Sequence, residues 1–335
     1  MKRIIVTRFS AMGDVAMVAS VLKEFITQHD DVEIIMVSRK LFAPFFADIP
    51  RVRFHPIDPK GKHKGVFGLY RLFRELKGYK SFYVADLHNN LRSRFLDFLF
   101  LTSDYSARIL DKGRSEKKAL TRSENKVLKP LKPTTERYAD VFRRLGYSFK
   151  LDHELPRVNR EAPEEYTAIF ASRVKTIGIA PFAQHPYKVF PLAKMEDLIG
   201  QLSEKDCCIF LFGGGEREKD VCEKWANQYE HVVNTIGLYS LAQELDIIAN
   251  LDLMVSMDSA GMHMASLVGT RCVSIWGATH PYAGFLGYGQ RLEDCIHLEH
   301  PARPSSVYGN KPCDCDGVEA IDLVTVEMVM EKINL

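Results

Sequence analysis

Short apolar runs alternate with longer amphipathic stretches along the whole chain. Runs such as Ile4–Thr7 predict buried strands, whereas stretches such as Thr134–Leu145 place their apolar residues on one face of a helix. Strands that alternate with helices are typical of βαβ units and parallel sheets. The sequence therefore predicts an α/β fold with doubly wound parallel sheets.

The predicted elements form two sets, separated by a stretch without clear periodicity. Strands are expected at Ile4–Thr7, Val32–Val37, Ser81–Leu87, Thr176–Ala180, Cys207–Phe212, Leu253–Ser256 and Cys272–Trp276. Helices are expected at Asp14–Gln28, Phe67–Leu76, Asn90–Phe100, Thr134–Leu145, Ala162–Ser172, Leu192–Ser203, Ala260–Val268 and Leu323–Ile333. The stretch Tyr147–Glu161 contains Pro156 and is taken as the linker.

This division predicts two Rossmann-like domains that face each other across a cleft. The first is expected over residues 1–158 and the second over residues 159–320. A C-terminal helix within residues 321–335 completes the chain, with packing back on the first domain as one option. In open parallel sheets, ligands bind beyond the carboxyl ends of the strands. We therefore look for chemistry in the loops that lead from a strand into a helix.

Composition argues for an ordinary globular protein. The 335 residues are 46% hydrophobic and 26% charged, which disfavours disorder or a fibre. No run of about 18 apolar residues is present, so we expect no transmembrane helix. Arg8 interrupts the apolar run that follows Met1–Arg3, which disfavours a signal peptide. Seven cysteines, two of them adjacent at Cys207–Cys208 in an apolar run, favour reduced thiols and a cytoplasmic location.

The net charge of +2 hides two oppositely charged halves. Residues 1–160 carry 32 Lys and Arg against 18 Asp and Glu, a net charge of +14. Residues 161–335 carry 13 against 25, a net charge of −12. Such asymmetry suggests that the first half meets an anionic partner.

The densest basic segment is Lys112–Lys132, with eight Lys and Arg against Glu116 and Glu124. One interpretation is a solvated, mobile loop. The other is a patch for phosphates or an anionic lipid surface, in which Arg92 and Lys60–Lys64 would share. No motif with interleaved aromatics indicates nucleic-acid binding.

Candidate chemistry in the first half lies in the loop Arg8–Asp14. Gly13 allows a tight turn, and Asp14 falls near a helix N-terminus, where the macrodipole favours its ionised form. Asp14 is either an N-cap or a general base that accepts a proton from an attacking hydroxyl.

In the second half, Lys188 precedes a helix and either stays exposed or serves as a point charge for a phosphate. Met257–Ala265 offers backbone N–H groups at a helix start, suited to a diphosphate, and Gly277–Pro281 follows the next strand. Gly213–Gly215 permits close backbone approach to a ligand.

Metal chemistry has little support in the sequence. The acidic Asp-x-Asp spacing occurs at Asp314–Asp316, far from these loops. Cys295, Cys313 and Cys315, with His297 and His300 nearby, could bind zinc or remain free thiols. We expect no required cofactor, because Lys188 and the helix start near Ser259 can stabilise the negative charge of a phosphate group without a metal.

The ordered set of these motifs resembles glycosyltransferase family 9, the ADP-heptose:lipopolysaccharide heptosyltransferases. The motifs in question, in chain order, are Gly13-Asp14, Asp86–Ser93, the Lys188 loop, Gly213–Glu216, Asp258–Ala265 and Gly277–Pro281. The resemblance implies a GT-B fold with the acceptor bound mainly by the first domain and the nucleotide sugar by the second. It also implies an inverting, metal-independent transfer.

Residue roles carry over from the resemblance. Asp14 would be the catalytic base, Lys188 would support the donor phosphates, and Asp258 would lie at the donor sugar and nucleotide. Further donor contacts are implied for Gly213, Gly214, Ser259, Ala260, Gly261, His263 and Thr279. Acceptor contacts are implied for Ser10, Met12, Gly13, His88, Asn89 and Arg92. The family commonly has Asp-Thr-Gly where this chain has Asp258-Ser259-Ala260, with Gly261 one place later.

The expected function is transfer of a heptose-like sugar from a nucleotide diphosphate, with ADP-heptose favoured, to a lipopolysaccharide core or related lipid-linked glycan. A non-catalytic nucleotide-sugar or polyanion binding protein, or a transferase using another nucleotide sugar, is the alternative. The implied partners are the donor, the anionic acceptor and the inner membrane surface. The implied location is the cytoplasm, either free or peripheral at the inner membrane.

Overall fold

The computed structural model describes residues 1–334, which divide into two compact units. Unit 1 contains residues 1–113 and 132–153, and unit 2 contains residues 114–131 and 154–335. Each unit is built around its own parallel sheet. The chain therefore crosses between the units three times rather than once.

The strands are β1 Lys2–Thr7, β2 Val32–Arg39, β3 Val52–Ile57, β4 Tyr83–Asp86, β5 Ser106–Ile109, β6 Lys175–Ala180, β7 Cys207–Leu211, β8 Val232–Asn234, β9 Leu253–Met257, β10 Cys272–Ile275, β11 Cys295–Ile296, β12 Asp314–Cys315 and β13 Val318–Glu319. The helices are α1 Met12–Gln28, α2 Gly65–Lys77, α3 Leu91–Leu101, α4 Arg114–Thr121, α5 Thr134–Arg144, α6 Thr167–Phe170, α7 Leu192–Ser203, α8 Glu216–Gln228, α9 Leu241–Asn250, α10 Ala260–Val268 and α11 Val326–Ile333.

The sheet of unit 1 has the order β3-β2-β1-β4-β5, with every pairing parallel. Ile4 and Ile5 of its central strand are fully buried, as are Ile34 and Ile35 of β2, because helices cover both faces of a doubly wound sheet. The order reverses between β1 and β4, where Thr7 lies opposite Asp86. Ligands bind beyond the strand ends at such a reversal.

The main sheet of unit 2 has the order β11-β10-β9-β6-β7-β8 and is also parallel throughout. Its order reverses between β6 and β9, where Ala180 lies opposite Ser256. The short β12–β13 hairpin is a separate two-stranded sheet. The reversal point directs attention to the loops that follow β6 and β9.

Several elements differ from the sequence-based expectations. The helix expected over Ala162–Ser172 is wrong: the structure has a 3₁₀ turn at Glu164–Tyr166 and the four-residue α6. Tyr166 is buried but α6 buries no residue, so a longer helix would gain little packing. The strands β3, β5, β8, β11, β12 and β13 and the helices α4 and α9 were not expected. Pro56 lies in β3, which is tolerated because β3 is an edge strand.

The C-terminal helix α11 belongs to unit 2. Val326, Val329 and Ile333 join the same buried cluster as Leu198 and Leu202 of α7. The option that this helix packs back on the first domain is therefore wrong, since its apolar face is satisfied within unit 2.

The basic segment also departs from its expected place, because residues 114–131 belong to unit 2. Leu120 and Leu131 pack with Ala283, and the ammonium group of Lys117 lies 4.2 Å from the centre of the Phe285 ring. Lys126 donates hydrogen bonds to the carbonyl oxygens of Ala302 and Pro304 at 2.5 and 3.1 Å. The segment is therefore not a loop throughout, because it includes α4 and these contacts hold it on unit 2. Lys118, Arg122 and Lys129 are nevertheless exposed to solvent.

Reassigning that segment reduces the charge asymmetry without abolishing it. Unit 1 carries 24 Lys and Arg against 15 Asp and Glu, a net charge of +9. Unit 2 carries 21 against 28, a net charge of −7. Unit 1 is still the basic unit, although part of the segment expected to make it so lies elsewhere.

Candidate active site

The reversal point of unit 1 carries Asp14 in the first turn of α1. This helix begins at Met12, so Asp14 is its third residue rather than the N-cap, which is Ala11. A carboxylate oxygen of Asp14 accepts a hydrogen bond from the Ala11 N–H at 3.3 Å. Gly13 lies within α1 and does not have a positive φ. The tight turn expected at this residue therefore does not form.

The Asp14 carboxylate is held by a buried arginine and a tyrosine. Arg8 forms an ion pair with Asp14 Oδ2. The hydroxyl of Tyr138, on α5, donates to Asp14 Oδ1 at 3.3 Å. Burial alone would lower the pKa of Arg8. Its electrostatic interactions with Tyr138 and Asp14 outweigh that effect and raise the pKa above its usual value. The arrangement orients a charged carboxylate whose side chain is still 23% exposed.

A second buried carboxylate, Asp86, organises the neighbouring loop. It accepts hydrogen bonds from the Thr7 hydroxyl at 3.1 Å and from the backbone N–H groups of His88 and Asn89 at 2.8 and 3.0 Å. The Ser93 hydroxyl donates to its other oxygen at 2.8 Å. These bonds fix the loop between β4 and α3 beside the end of β1, which explains why an acid ends β4.

Two of the predicted acceptor residues have structural partners in this loop. His88 Nδ1 accepts the Phe9 N–H at 3.1 Å, and burial together with the charge of Arg8 lowers the pKa of His88 to about 3. Asn89 has a positive φ of 49°, and its amide donates to the Leu110 carbonyl at 2.7 Å. His88 is therefore neutral at physiological pH, and both side chains help to shape the loop.

The remaining acceptor candidates lie around the same strand ends. Ser10 precedes α1, Met12 and Gly13 form its first turn, and Arg92 is exposed in the first turn of α3. Arg92 thus adds a cation beside the Asp86 loop. Contact of these residues with an acceptor stays a prediction.

In unit 2 the reversal point brings together Lys188 and Asp258. Lys188 ends a 3₁₀ turn after β6, and Asp258 directly follows β9. Lys188 Nζ lies 2.9 Å from Asp258 Oδ2, and both side chains are largely buried. The Lys188 stem passes Gly309, where a Cβ would come within 2.2 Å of Lys188 Cγ. Gly309 is therefore needed for this placement of the Lys188 side chain. The sequence around Lys188 gives no indication of that requirement.

The helix α10 starts immediately after this pair. Its N-cap is Ser259, and within residues 1–334 no side chain caps its first turn. The N–H groups of that turn are available to an anion. Gly261 has a different task, because a Cβ there would lie 2.6 Å from Ala180 Cβ. It lets α10 approach β6 closely, while Ala260 occupies the first helical position. His263 is buried within the helix.

Arg303 supports the loop after β10, although nothing in the sequence singled this residue out. Its guanidinium is buried and donates to the carbonyl oxygens of Gly277 and Thr279 at 2.7 and 2.8 Å, and to that of Trp276 at 3.2 Å. This orders the turn that contains Thr279, whose buried hydroxyl has no hydrogen-bond partner among residues 1–334. Nothing in the local sequence links Arg303 to a loop 26 residues earlier.

The glycine loop after β7 also has a partner that the sequence did not single out. Glu218 accepts the Gly214 N–H at 2.8 Å, one turn into α8. Gly213 is tightly packed, since a Cβ would come within 2.8 Å of Ile236, whereas a Cβ on Gly214 would meet nothing within 4 Å. Gly213 thus serves packing, and Gly214 is the position open to a ligand.

One group of possible metal ligands occurs among residues 1–334: His280, His297 and Glu299. Its arrangement does not suit a cation. His280 Nδ1 accepts the Tyr282 N–H, which leaves the proton on Nε2, the atom that faces Glu299. His297 Nδ1 lies 3.0 Å from the Arg303 guanidinium. Cys295, Cys313 and Cys315 are buried free thiols outside this group, and zinc binding by them stays untested.

No helix within residues 1–334 combines the length and the apolar character needed to cross a bilayer.

Comparison with known proteins identifies the family and the fold. A family model of glycosyltransferase family 9 (heptosyltransferase) matches residues 69–311. Lipooligosaccharide heptosyltransferase 2 of Haemophilus influenzae is 25% identical over 97% of this chain and 96% of its own length. Among solved structures, an E. coli ADP-heptose LPS heptosyltransferase II superposes with a TM-score of 0.70 at 18% identity, covering 100% of this chain and 98% of that one. An E. coli heptosyltransferase with ADP-2-deoxy-2-fluoro heptose gives 0.66 at 17% identity, covering 99% and 98%.

The family match spans well over half of the chain, and the structural matches span both parallel-sheet units. The expectations of a Rossmann-like, doubly wound fold and of a glycosyltransferase are confirmed. This chain belongs to glycosyltransferase family 9, with the two-domain GT-B fold of the heptosyltransferases.

Proposed function

We propose that this protein transfers a heptose from ADP-heptose to a lipopolysaccharide core or related lipid-linked glycan, with inversion at the anomeric carbon. The observation that carries the proposal is the Lys188–Asp258 pair beside the N-terminus of α10, at the strand reversal of unit 2. Two of the similar proteins are a lipooligosaccharide heptosyltransferase and an ADP-heptose LPS heptosyltransferase, which favours this donor and this class of acceptor.

The donor diphosphate is assigned to unit 2. A lysine ammonium has three donors, so Lys188 can keep one on Asp258 and direct others at a phosphate oxygen. The N–H groups of the first turn of α10 supply further donors together with the helix dipole. The donor can approach the backbone closely at Ser259, Ala260 and Gly214, and Thr279 supplies a buried hydroxyl. Local donors are required because unit 2 carries a net charge of −7.

The base is assigned to Asp14 in unit 1. In the transfer, an acceptor hydroxyl oxygen bonds to the anomeric carbon while the bond from that carbon to the β-phosphate oxygen breaks. The hydroxyl proton passes to Asp14, and ADP leaves with the bonding electron pair. Arg8 and Tyr138 hold the carboxylate for this proton transfer. His88, Asn89 and Arg92, with Ser10, Met12 and Gly13, are the proposed acceptor contacts.

Transfer is proposed to proceed without a metal ion. Lys188 and the α10 N-terminus can stabilise the negative charge that develops on the departing diphosphate. We expect the rate of ADP release to be unchanged by EDTA. A loss of activity that Mg²⁺ or Mn²⁺ restores would contradict this assignment.

The proposal as a whole is tested with a panel of donors. ADP-heptose, UDP-glucose and GDP-mannose are each incubated with a delipidated lipopolysaccharide inner core as acceptor. We expect transfer with ADP-heptose alone, detected as released ADP and as a product of the opposite anomeric configuration. In parallel, thermal-shift measurements are expected to show stabilisation by ADP and not by UDP or GDP.

Other outcomes separate the alternatives. Stabilisation by ADP without release from any donor and acceptor would favour a binding protein that transfers nothing. Preferential use of a UDP or GDP sugar would overturn the donor while keeping the reaction class.

A further inference from the structure

Unit 1 carries an unusual concentration of exposed apolar side chains on its two helices α2 and α3 and the loop between them. Of the sixteen large hydrophobic side chains that the described residues leave exposed, seven lie between positions 66 and 101, about a tenth of the chain. Phe67 and Leu91 are each 91% exposed. The seven are Val66, Phe67, Tyr70, Phe82, Leu91, Phe98 and Leu101. Single exposed apolar residues are normal, but such a cluster marks an interaction surface.

The exposed side chains of the two helices form one face because α2 and α3 pack beside each other. The inner side of α2 places Leu69, Leu72 and Leu76 in the core of unit 1, and α3 contributes Leu96 and Phe100 to the same core. The helical repeat therefore puts Phe67, Tyr70 and Arg74 on the outer side of α2. It puts Leu91, Arg94 and Phe98 on the outer side of α3.

Every exposed charge on this outer face is positive. The exposed charged residues of the two helices are Arg71, Arg74, Lys77, Arg92 and Arg94. The acidic residues of the two helices do not contribute a free negative charge to this face, because Asp97 is buried and Glu75 forms ion pairs with Lys62 and His63. Aromatic and aliphatic side chains therefore project among cations with no competing carboxylate on the same face.

A groove of about 610 Å³ opens between the helices on this face. Tyr70, Phe73 and Leu99 contribute its apolar lining, and Arg74 and Lys77 contribute cations. The ammonium group of Lys77 lies 5.6 Å from the centre of the Phe73 ring. The groove thus combines an apolar lining with positive charge, which suits a phosphate attached to an apolar chain.

We propose that the outer face of α2 and α3, hereafter the α2–α3 face, docks unit 1 on an anionic phospholipid bilayer. Amphipathic helices bind an interface by inserting aromatic and aliphatic side chains at the level of the headgroups, while Lys and Arg pair with anionic lipids. Both requirements are met on one surface, and the charge is complementary to an anionic leaflet rather than to a neutral one. The inference rests on the proposed lipid-linked acceptor, because a docked unit 1 would meet that acceptor at the membrane.

The test is vesicle co-sedimentation of the full chain. Vesicles of phosphatidylcholine alone are compared with vesicles containing 30% phosphatidylglycerol, at low and at high salt. We expect binding to the anionic vesicles at least about tenfold tighter than to the neutral ones, and weaker binding as salt rises. Equal binding to both vesicles, or none to either, would overturn the proposal.

Two sets of variants assign the binding to this face. Phe67→Ser with Phe98→Ser removes inserted rings, and Arg71→Gln with Arg74→Gln and Lys77→Gln removes three cations. Each set is expected to weaken binding to anionic vesicles by at least about tenfold, and only the second to reduce its salt dependence. The matched controls lie in unit 2 on exposed positions: Leu238→Ser for the rings, and Lys205→Gln, Arg217→Gln and Lys224→Gln for the cations.

Outcomes that contradict the proposal are distinct from failure of the transfer reaction. Variants of the α2–α3 face that bind vesicles as the wild type does, or controls that lose as much, would remove this face as the docking site. If the ring variant changed only self-association in sedimentation velocity, the face would be a protein interface instead. Transfer to the delipidated acceptor is expected to be unchanged in all variants, so its absence in the wild type would overturn the proposed function alone.

Discussion

Both units reverse the order of their strands, but the residues at the two reversal points differ in their chemistry. In each, a parallel sheet reverses its strand order, and an acid and a base form an ion pair beyond the strand ends. In unit 1 both partners come from the β1–α1 connection, whereas in unit 2 they come from two neighbouring loops. In unit 1 the carboxylate of Asp14 is in the helix, is 23% exposed and is backed by buried Arg8. In unit 2 the carboxylate of Asp258 is only 5% exposed, and the helix that follows has no side-chain cap.

From that difference we assign different roles to the two strand-reversal points. A partly exposed carboxylate on a helix can receive a proton from a ligand, whereas an uncapped helix start beside a lysine can receive an anion. We therefore propose that the same fold presents a base in one unit and a phosphate site in the other. The substitutions below are designed to separate these tasks, from the largest expected effect to the smallest.

Replacing Asp14 by Asn is expected to give the largest loss. The amide cannot accept the acceptor's proton, so we expect kcat to fall by about a thousandfold. Binding of ADP, measured by thermal shift, is expected to be unchanged because we assign that task to unit 2. The control is Asp104→Asn, an exposed acid of unit 1. Retained turnover would exclude Asp14 as the base.

Replacing Lys188 by Met should produce the complementary result. The cation that meets the diphosphate is lost, and Asp258 remains as an unpaired buried carboxylate. We expect the affinity for ADP to fall by about a hundredfold, with transfer falling at least as far. Lys311→Met, at an exposed position of unit 2, is the matched control. Normal ADP affinity in Lys188→Met would disprove the phosphate assignment.

Replacing Gly261 by Ala tests whether close packing of α10 sets the anion site. The added Cβ would lie 2.6 Å from Ala180 Cβ, so α10 must move away from the sheet. We expect the melting temperature to fall, with a loss of about 1–3 kcal/mol in the free energy of unfolding, and ADP affinity to fall by about tenfold. Gly214→Ala adds a Cβ in open space and is expected to keep the melting temperature. Equal melting temperatures for both variants would contradict this account.

Asp97 provides a smaller, pH-dependent test in unit 1. Burial, together with the adjacent Asp86, raises the pKa of Asp97 to about 9. The folded chain then holds a proton that the unfolded chain releases near pH 4, so this contribution to stability is lost as pH rises between these values. Asp97→Asn removes the effect. From pH 5 to pH 6.5 the variant should gain on the wild type by about 2 kcal/mol in the free energy of unfolding, because each pH unit between the two pKa values is worth about 1.4 kcal/mol. A constant difference across this range would show that Asp97 titrates normally.

Local sequence predicted the elements that carry strong periodicity or end signals. The long helix that contains Asp14 and the buried strand at Thr176–Ala180 were found within a few residues of their observed bounds. Short edge strands such as β3 and β8 were missed because a few half-buried residues give no clear period. The helix over Ala162–Ser172 was wrong because only Tyr166 is buried there and α6 itself buries no residue.

For the candidate site, the sequence singled out loops at the two strand reversals and missed the residues that support those loops. Asp14, Lys188 and Asp258 were each identified from a strand-to-helix loop. Arg8, Tyr138 and Arg303 were not, because their partners lie between 6 and 124 residues away along the chain. A buried arginine is identified by what surrounds it, and local sequence does not report those surroundings.

The sequence by itself determined the βα rhythm, the resemblance to a family, the loops that carry chemistry and the excess of basic residues in the first half. Tertiary structure decided how those residues are used. It placed residues 114–131 on unit 2, paired Lys188 with Asp258, and gathered the aromatic and basic side chains of α2 and α3 on one face. The reason is physical: periodicity follows from contacts a few residues apart, whereas charge pairing and shared surfaces depend on contacts between distant segments, which form only when the sheets assemble.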